Sequence, residues 1–149
     1  MKALVVKIKK GEVYLKEKIV SAINKGIAVF VGIEKNDNNF ILNEMAEKIS
    51  NLRIFEDESG KLNYSVKEKK YEVLCISNFT LCANLEKGRR PSFEKAMPKE
   101  EANKIFSDFI LLLKGKGLEV KTGVFGEYMD IRLQLDGPVN IFLEIPSKI

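Results

Sequence analysis

The run Ile27-Ala28-Val29-Phe30-Val31-Gly32-Ile33 restricts the fold more than any other part of the chain. Successive side chains of a strand point to opposite faces, so a run without a polar side chain has no face to give to water. It reads as a β-branched strand buried on both faces, and such a strand needs a layer above it and another below.

The rest of the chain can supply those layers. Asn36 to Arg53 opens with an Asn/Asp cluster suited to an N-cap and then sets Ile41, Leu42, Met45, Ala46, Ile49 and Leu52 on one helical face. A second helix begins at Pro98, carries Ala102, Ile105, Phe106, Phe109, Leu112 and Leu113 on one stripe, and ends at Gly115 and Gly117. Ala3 to Ile8 and Glu12 to Leu15 read as strands joined at Lys9-Lys10-Gly11 in a hairpin. Lys18 to Ile23 is ambiguous, and Asn24-Lys25-Gly26 is a turn signal. Arg53 to Glu56 and Lys61 to Val66 bracket Asp57-Glu58-Ser59-Gly60 as a second hairpin, and Lys67 to Lys70 is a charged turn into a strand at Tyr71. Leu118 to Ile145 reads as strands: Met129, Ile131, Leu133 and Leu135 alternate with Asp130, Arg132, Gln134 and Asp136. Asp136-Gly137-Pro138 then reads as a tight turn before a last strand, Val139 to Ile145. The expected architecture is α+β: mostly antiparallel sheets forming a barrel-like core with two amphipathic helices packed on it. A chain of 149 residues without repeats or linkers is expected to be a single domain, 1–149.

Within this framework one stretch carries chemistry. The strand from Tyr71 to Ile76 runs into Ser77-Asn78-Phe79-Thr80-Leu81 and then into the basic loop Gly88-Arg89-Arg90-Pro91-Ser92-Phe93. In a continuous strand Ser77 and Thr80 would face opposite ways. A break at Asn78, a residue that tolerates turn conformations, would bring both hydroxyls to one side. It would also free the Phe79 and Thr80 N–H groups from the ladder, and free N–H groups beside hydroxyls suit a developing oxyanion. The same five residues also read as the end of a core strand with Phe79 and Leu81 buried.

Composition narrows the chemistry. There is no histidine, which removes Ser-His-Asp triads, Cys-His dyads and histidine metal sites. Any base must be a carboxylate, a lysine, water or the substrate. Cys75 and Cys82 have the spacing of neither a metal knuckle nor a redox pair, and no metal or cofactor is expected. Residues 61–100 hold nine Lys or Arg against five Asp or Glu, which accounts for the whole net charge of +4. An anionic partner such as nucleic acid fits that excess, as does a solvated basic loop. The opening residues lack an apolar segment long enough for a signal peptide, and no later run is long enough to span a membrane, so a cytoplasmic protein is expected.

Six segments, in order, are similar to the signatures of the D-aminoacyl-tRNA deacylase family: Asn51-Leu52-Arg53-Ile54-Phe55-Glu56-Asp57, Gly60-Lys61-Leu62-Asn63, Ser77 to Leu81, Gly88 to Phe93, Thr122-Gly123-Val124-Phe125-Gly126 and Asp136-Gly137-Pro138-Val139. The resemblance spans essentially the whole chain. It implies hydrolysis of the ester between a D-amino acid, or mischarged glycine, and the 3′-terminal adenosine of tRNA. It implies a homodimer in which Gly137-Pro138 of one subunit, joined by a cis bond, reaches into the site of the other and excludes L side chains. By base rate alone that bond would be trans. Ser77, Asn78, Phe79 and Thr80 match the motif that holds the adenosine and the ester, and Phe125 and Met129 match residues near that pocket.

Four positions depart from the family pattern. Asn78 stands where Gln is usual, Asn140 where Thr is common, and Leu135 where Asn is usual. Lys7 takes the place of an Arg that supports the Gly-Pro loop, offering a point charge instead of a planar fork. Two mechanisms stay open: Thr80 as nucleophile, or a water attacking an ester whose oxyanion is held by the Phe79 and Thr80 N–H groups. Lys87, Arg89 and Arg90 either meet tRNA phosphates or brace the pocket by pairing with a carboxylate. A non-catalytic RNA-binding module and a general esterase are the competing readings, the latter lacking a nucleophile elbow.

Overall fold

A computed structural model describes residues 1–148; Ile149, the last residue of the expected domain, lies outside the described residues. Among the described residues eight strands and three α-helices follow along the chain: β1 (Lys2–Leu15), β2 (Lys18–Ile23), β3 (Gly26–Gly32), α1 (Asn39–Asn51), β4 (Phe55–Glu56), β5 (Leu62–Tyr64), α2 (Val66–Lys69), β6 (Glu72–Ser77), α3 (Lys99–Gly115), β7 (Glu119–Thr122) and β8 (Asp130–Glu144). The main sheet runs β2-β1-β3-β6-β7, with β8 on β1, and β4 pairs with β5 separately.

β3 is enclosed as its sequence requires. Ile27, Val29 and Val31 point into one cluster with Ile41, Met45 and Ile49 of α1 and Phe109 and Leu113 of α3. Ala28 points the other way, into a second cluster with Val6, Ile8, Val13, Leu74 and Ile76. Phe109 and Leu113 are fully buried, and each such side chain contributes about 1.5–3 kcal/mol relative to exposure. Asn38 caps α1 by accepting from the Ile41 N–H at 3.1 Å, which satisfies one of the helix's free donors. The α1 face is the expected one except that Leu52 is the C-cap and half-buried. Pro98 is the N-cap of α3, one residue before the helix proper.

β3 and β6 pair in parallel, as do β6 and β7, whereas β1 pairs antiparallel with β2, β3 and β8. The sheet is therefore mixed, and it curls towards closure. The Ser21 hydroxyl of β2 donates to the Thr122 carbonyl of β7, and Lys121 Nζ donates to the Ala22 carbonyl at 2.9 Å.

Two turns expected from the sequence are absent. Lys9-Lys10-Gly11 lies inside β1, which continues unbroken to Leu15. Gly11 serves close packing there, since a Cβ would stand 2.9 Å from Ile8 Cδ1 and 3.2 Å from both Leu133 and Leu74 Cδ2. The reversal comes at Lys16-Glu17, with φ of +48° and +66°, the left-handed pair that a two-residue hairpin needs, made without Gly or Asn. Asp136-Gly137-Pro138 is likewise no hairpin. β8 pairs with β1 on both sides of it, and the register passes from Ile8↔Leu135 to Val6↔Asn140. Residues 136–139 thus bulge out opposite Lys7 alone. The Gly137-Pro138 peptide bond is cis.

Candidate active site

β6 stops where the sequence suggested. Ser77 is its last residue, Asn78 takes φ −145° and ψ 88°, and Phe79–Cys82 forms one 3₁₀ turn. The Asn78 N–H still donates to the Val31 carbonyl at 2.7 Å, so the break begins just after it. Leu81 N–H closes on the Asn78 carbonyl at 3.3 Å and Ala83 N–H on Thr80 at 3.2 Å. The first donors of a helical turn have no partner within it. The Asn78 side chain does not cap them, because it accepts from the Thr80 hydroxyl instead. The Phe79 and Thr80 N–H groups therefore make no hydrogen bond among the described residues.

These groups open on a cleft of about 750 Å³ that also takes in Ser77, Phe125 and Met129. The reading of Phe79 as a buried core residue does not hold: it is 57% exposed, with its ring edge-on to Phe93 at 4.9 Å between centroids. That contact ties the basic loop to the cleft, and Asn84 and Ser92 close the loop's base by exchanging backbone hydrogen bonds of 2.8 and 2.9 Å. Lys87, Arg89 and Arg90 are exposed in it, and among the described residues none forms an ion pair. The opposite wall is the loop between β7 and β8. Val124 N–H lies 3.4 Å from the Met129 sulfur, and Phe125 packs against Phe106 of α3 at 5.9 Å.

Five cleft residues were not singled out in the sequence: Ala96, Met97, Lys99, Glu127 and Tyr128. Lys99 begins α3 and lies over Gly126, where a Cβ would meet its Cε at 2.6 Å; Gly126 itself takes φ +77°. Tyr128 is 99% exposed at the rim. For Glu127 and Tyr128 the available signal was Gly126, whose positive φ marks a turn directly before them; Lys99 had none. Cys82, the last residue of the 3₁₀ turn, is buried with its thiol 3.7 Å from the Ile33 carbonyl, and burial pushes its pKa up to about 11.

Gly137 and Pro138 do not line this cleft. The bulge that holds them stands opposite Lys7, level with Ile27 and Val73, whereas the cleft begins at Phe30, Ile76 and Ser77. Three to four strand residues separate the two, about 10–13 Å along the sheet. Lys7 is buried and lines a second, smaller cavity with Asp136.

A curled mixed sheet with helices on one face and a cleft at the broken end of a central strand is the architecture of a tRNA deacylase barrel. A solved structure described as a probable eukaryotic D-amino acid tRNA deacylase shares it, with a TM-score of 0.85 at 14% identity over 97% of this chain and 98% of the other. The chain belongs to the D-Tyr-tRNA(Tyr) deacylase family, whose model matches residues 4–144. It is 44% identical over 144 residues to the D-aminoacyl-tRNA deacylase of Aquifex aeolicus, covering 97% of each chain. It is 45% identical over 143 residues to that of Thermodesulfovibrio yellowstonii, covering 96% of this chain and 98% of the other. A solved chain described as c-Myc DNA Unwinding Element Binding Protein superimposes with a TM-score of 0.93 at 44% identity, over 99% of this chain and 100% of that one.

Proposed function

We propose that the chain is a D-aminoacyl-tRNA deacylase that hydrolyses the ester joining a D-amino acid, or glycine, to the 3′-terminal adenosine of tRNA, and that it spares L-aminoacyl-tRNA. The observation that carries this reading is the pair of unpartnered N–H groups of Phe79 and Thr80 at a cleft wide enough for an aminoacyl-adenosine. An aminoacyl ester is already activated, so the enzyme needs chiefly to position it and stabilise its oxyanion. The two N–H groups hold the oxyanion, and a water attacks with help from the substrate's own amino group or ribose 2′-hydroxyl. Ser77, Asn78 and Thr80 orient the ester, while Phe125 and Met129 wall the pocket.

Chiral selection then comes from Gly137-Pro138 of a second copy. The loop's distance from the cleft in its own chain supports this, because it can contribute to a site only across an interface. Two features favour the homodimer. The outer edge of β8 pairs with no strand among the described residues. Phe142, 52% exposed, sits in register beside Leu4 and Phe30 on the open face of the sheet. Lys87, Arg89 and Arg90, free of carboxylate partners, meet tRNA phosphates. The protein works as a single deacylase domain in the cytoplasm, clearing mischarged tRNA for translation. No helix among the described residues is long and apolar enough to cross a membrane.

Single-turnover deacylation of one tRNA carrying the D form, the L form, or glycine tests this directly. Loss of the D and glycyl esters with the L ester spared is expected. Equal loss of all three would remove Gly137-Pro138 as the filter. A second reading, a nucleic-acid-binding module without turnover, is favoured by the exposed basic loop and by the likeness to the c-Myc DNA unwinding element binding protein. Tight tRNA binding with no ester lost would establish it.

A further inference from the structure

The cavity of about 190 Å³ beside the Gly137-Pro138 bulge is lined by three lysines, Lys7, Lys25 and Lys69, and two acidic residues, Glu56 and Asp136. Among the described residues none of the five forms an ion pair. Lys25 and Lys69 are exposed on the rim, but Lys7 is only 7% exposed. A buried ammonium is strongly destabilising unless an opposite charge or a set of acceptors compensates it. Here the described residues offer its Nζ only the face of Phe55, 5.3 Å away. No fully enclosed polar side-chain atom lacks a partner, so Nζ opens onto the cavity itself. Lys69 is steered to the same place, its Nζ lying 5.4 Å from the Tyr64 ring and 5.7 Å from the Tyr71 ring.

We propose that this cavity binds one phosphate-type oxyanion between Lys7, Lys25 and Lys69. The volume holds such an ion with some of its water, at roughly 30 Å³ per water. Three ammonium donors around one oxyanion supply charge-assisted hydrogen bonds to several oxygens at once. The anion would offset the excess positive charge beside Asp136, the residue directly before Gly137. Its source is either free inorganic phosphate or the backbone phosphate of a nucleic acid laid along this end of the sheet. The site stands whether or not the large cleft is an esterase.

Isothermal titration of the full chain with inorganic phosphate, at ionic strength held constant with chloride, separates a site from general screening. One saturable phosphate per chain is expected, weakened by about tenfold in Lys69→Ala and again in Lys7→Met, each change removing one charge-assisted hydrogen bond. Lys69 is exposed, so its variant remains informative if Lys7→Met does not fold. In a second arm a single-stranded RNA trinucleotide is added to the phosphate-loaded protein. Displacement identifies a backbone phosphate as the ligand, and retention identifies the free anion. The absence of saturable phosphate binding by the unmodified chain, or equal binding by it and by Lys69→Ala, would overturn the proposal.

Discussion

Thr80 donates its hydroxyl proton to the Asn78 side chain, and the chain has no histidine to draw that proton away. A hydroxyl so engaged orients a substrate better than it attacks one. Thr80→Ala is accordingly expected to slow single-turnover deacylation by about tenfold, the loss of one hydrogen bond, where loss of a true nucleophile costs roughly 10⁶-fold. Abolished turnover with normal tRNA binding would mean that Thr80 forms a covalent intermediate. The cysteines make a second test. Burial pushes the Cys75 thiol far up and Cys82 up to about 11, so both stay neutral at pH 8, and the thiolate is the reactive form. A thiol reagent at pH 8 should label neither in the native protein and both after denaturation. The unfolded chain releases the Cys82 proton first, so native stability declines as pH rises from the ordinary thiol range through about 11. Both tests concern residues that the sequence already marked. The role of Asn78 was less visible, because a Gln-to-Asn shortening says nothing of which neighbour the amide will reach.

Among the elements, the helices were the most legible. Their apolar stripes repeat at helical spacing over many residues, and the caps fall where Asn38 and Gly117 suggest. The break after Ser77 was legible only as one of two readings, since the same five residues also suit the end of a core strand, and the 3₁₀ turn with its exposed Phe79 decided between them. The misplaced turn at Lys9-Lys10-Gly11 has a physical cause. Gly-containing triplets signal either a reversal or a close approach of neighbouring chains, and local sequence does not distinguish them. Gly11 is the second kind, and so is Gly26, where an added Cβ would stand 1.8 Å from the Glu72 carbonyl oxygen in the parallel partner strand. Gly26→Ala should therefore force β3 and β6 apart and destabilise the fold by about 3 kcal/mol, against a usual loss near 1 kcal/mol. Urea denaturation monitored by circular dichroism measures it; a loss below about 1 kcal/mol would show that the strand end yields at low cost.

The molecule as a whole presents a sheet whose helix-covered side is sealed and whose other side is finished less fully. None of the fifteen residues of β8 is fully buried, although its apolar side chains alternate as in a packed strand. A second copy seated there would complete that face and bring Gly137-Pro138 to a cleft. Phe142→Asp is expected to shift the protein from dimer to monomer in analytical ultracentrifugation at micromolar concentration and to lower deacylation in parallel. A dimer of unchanged strength would place the interface elsewhere. Periodicity, capping residues and composition were sufficient for the α+β class, the two long helices and the doubly buried strand, since each depends on residues close together in the chain. The parallel pairings, the unbroken course of β1 and β8, the separation of the Gly-Pro bulge from the cleft and the gathering of Lys7, Lys25 and Lys69 around one cavity came from the folded chain, because each depends on which distant segments meet. Sequence spacing does not encode that distance; packing does.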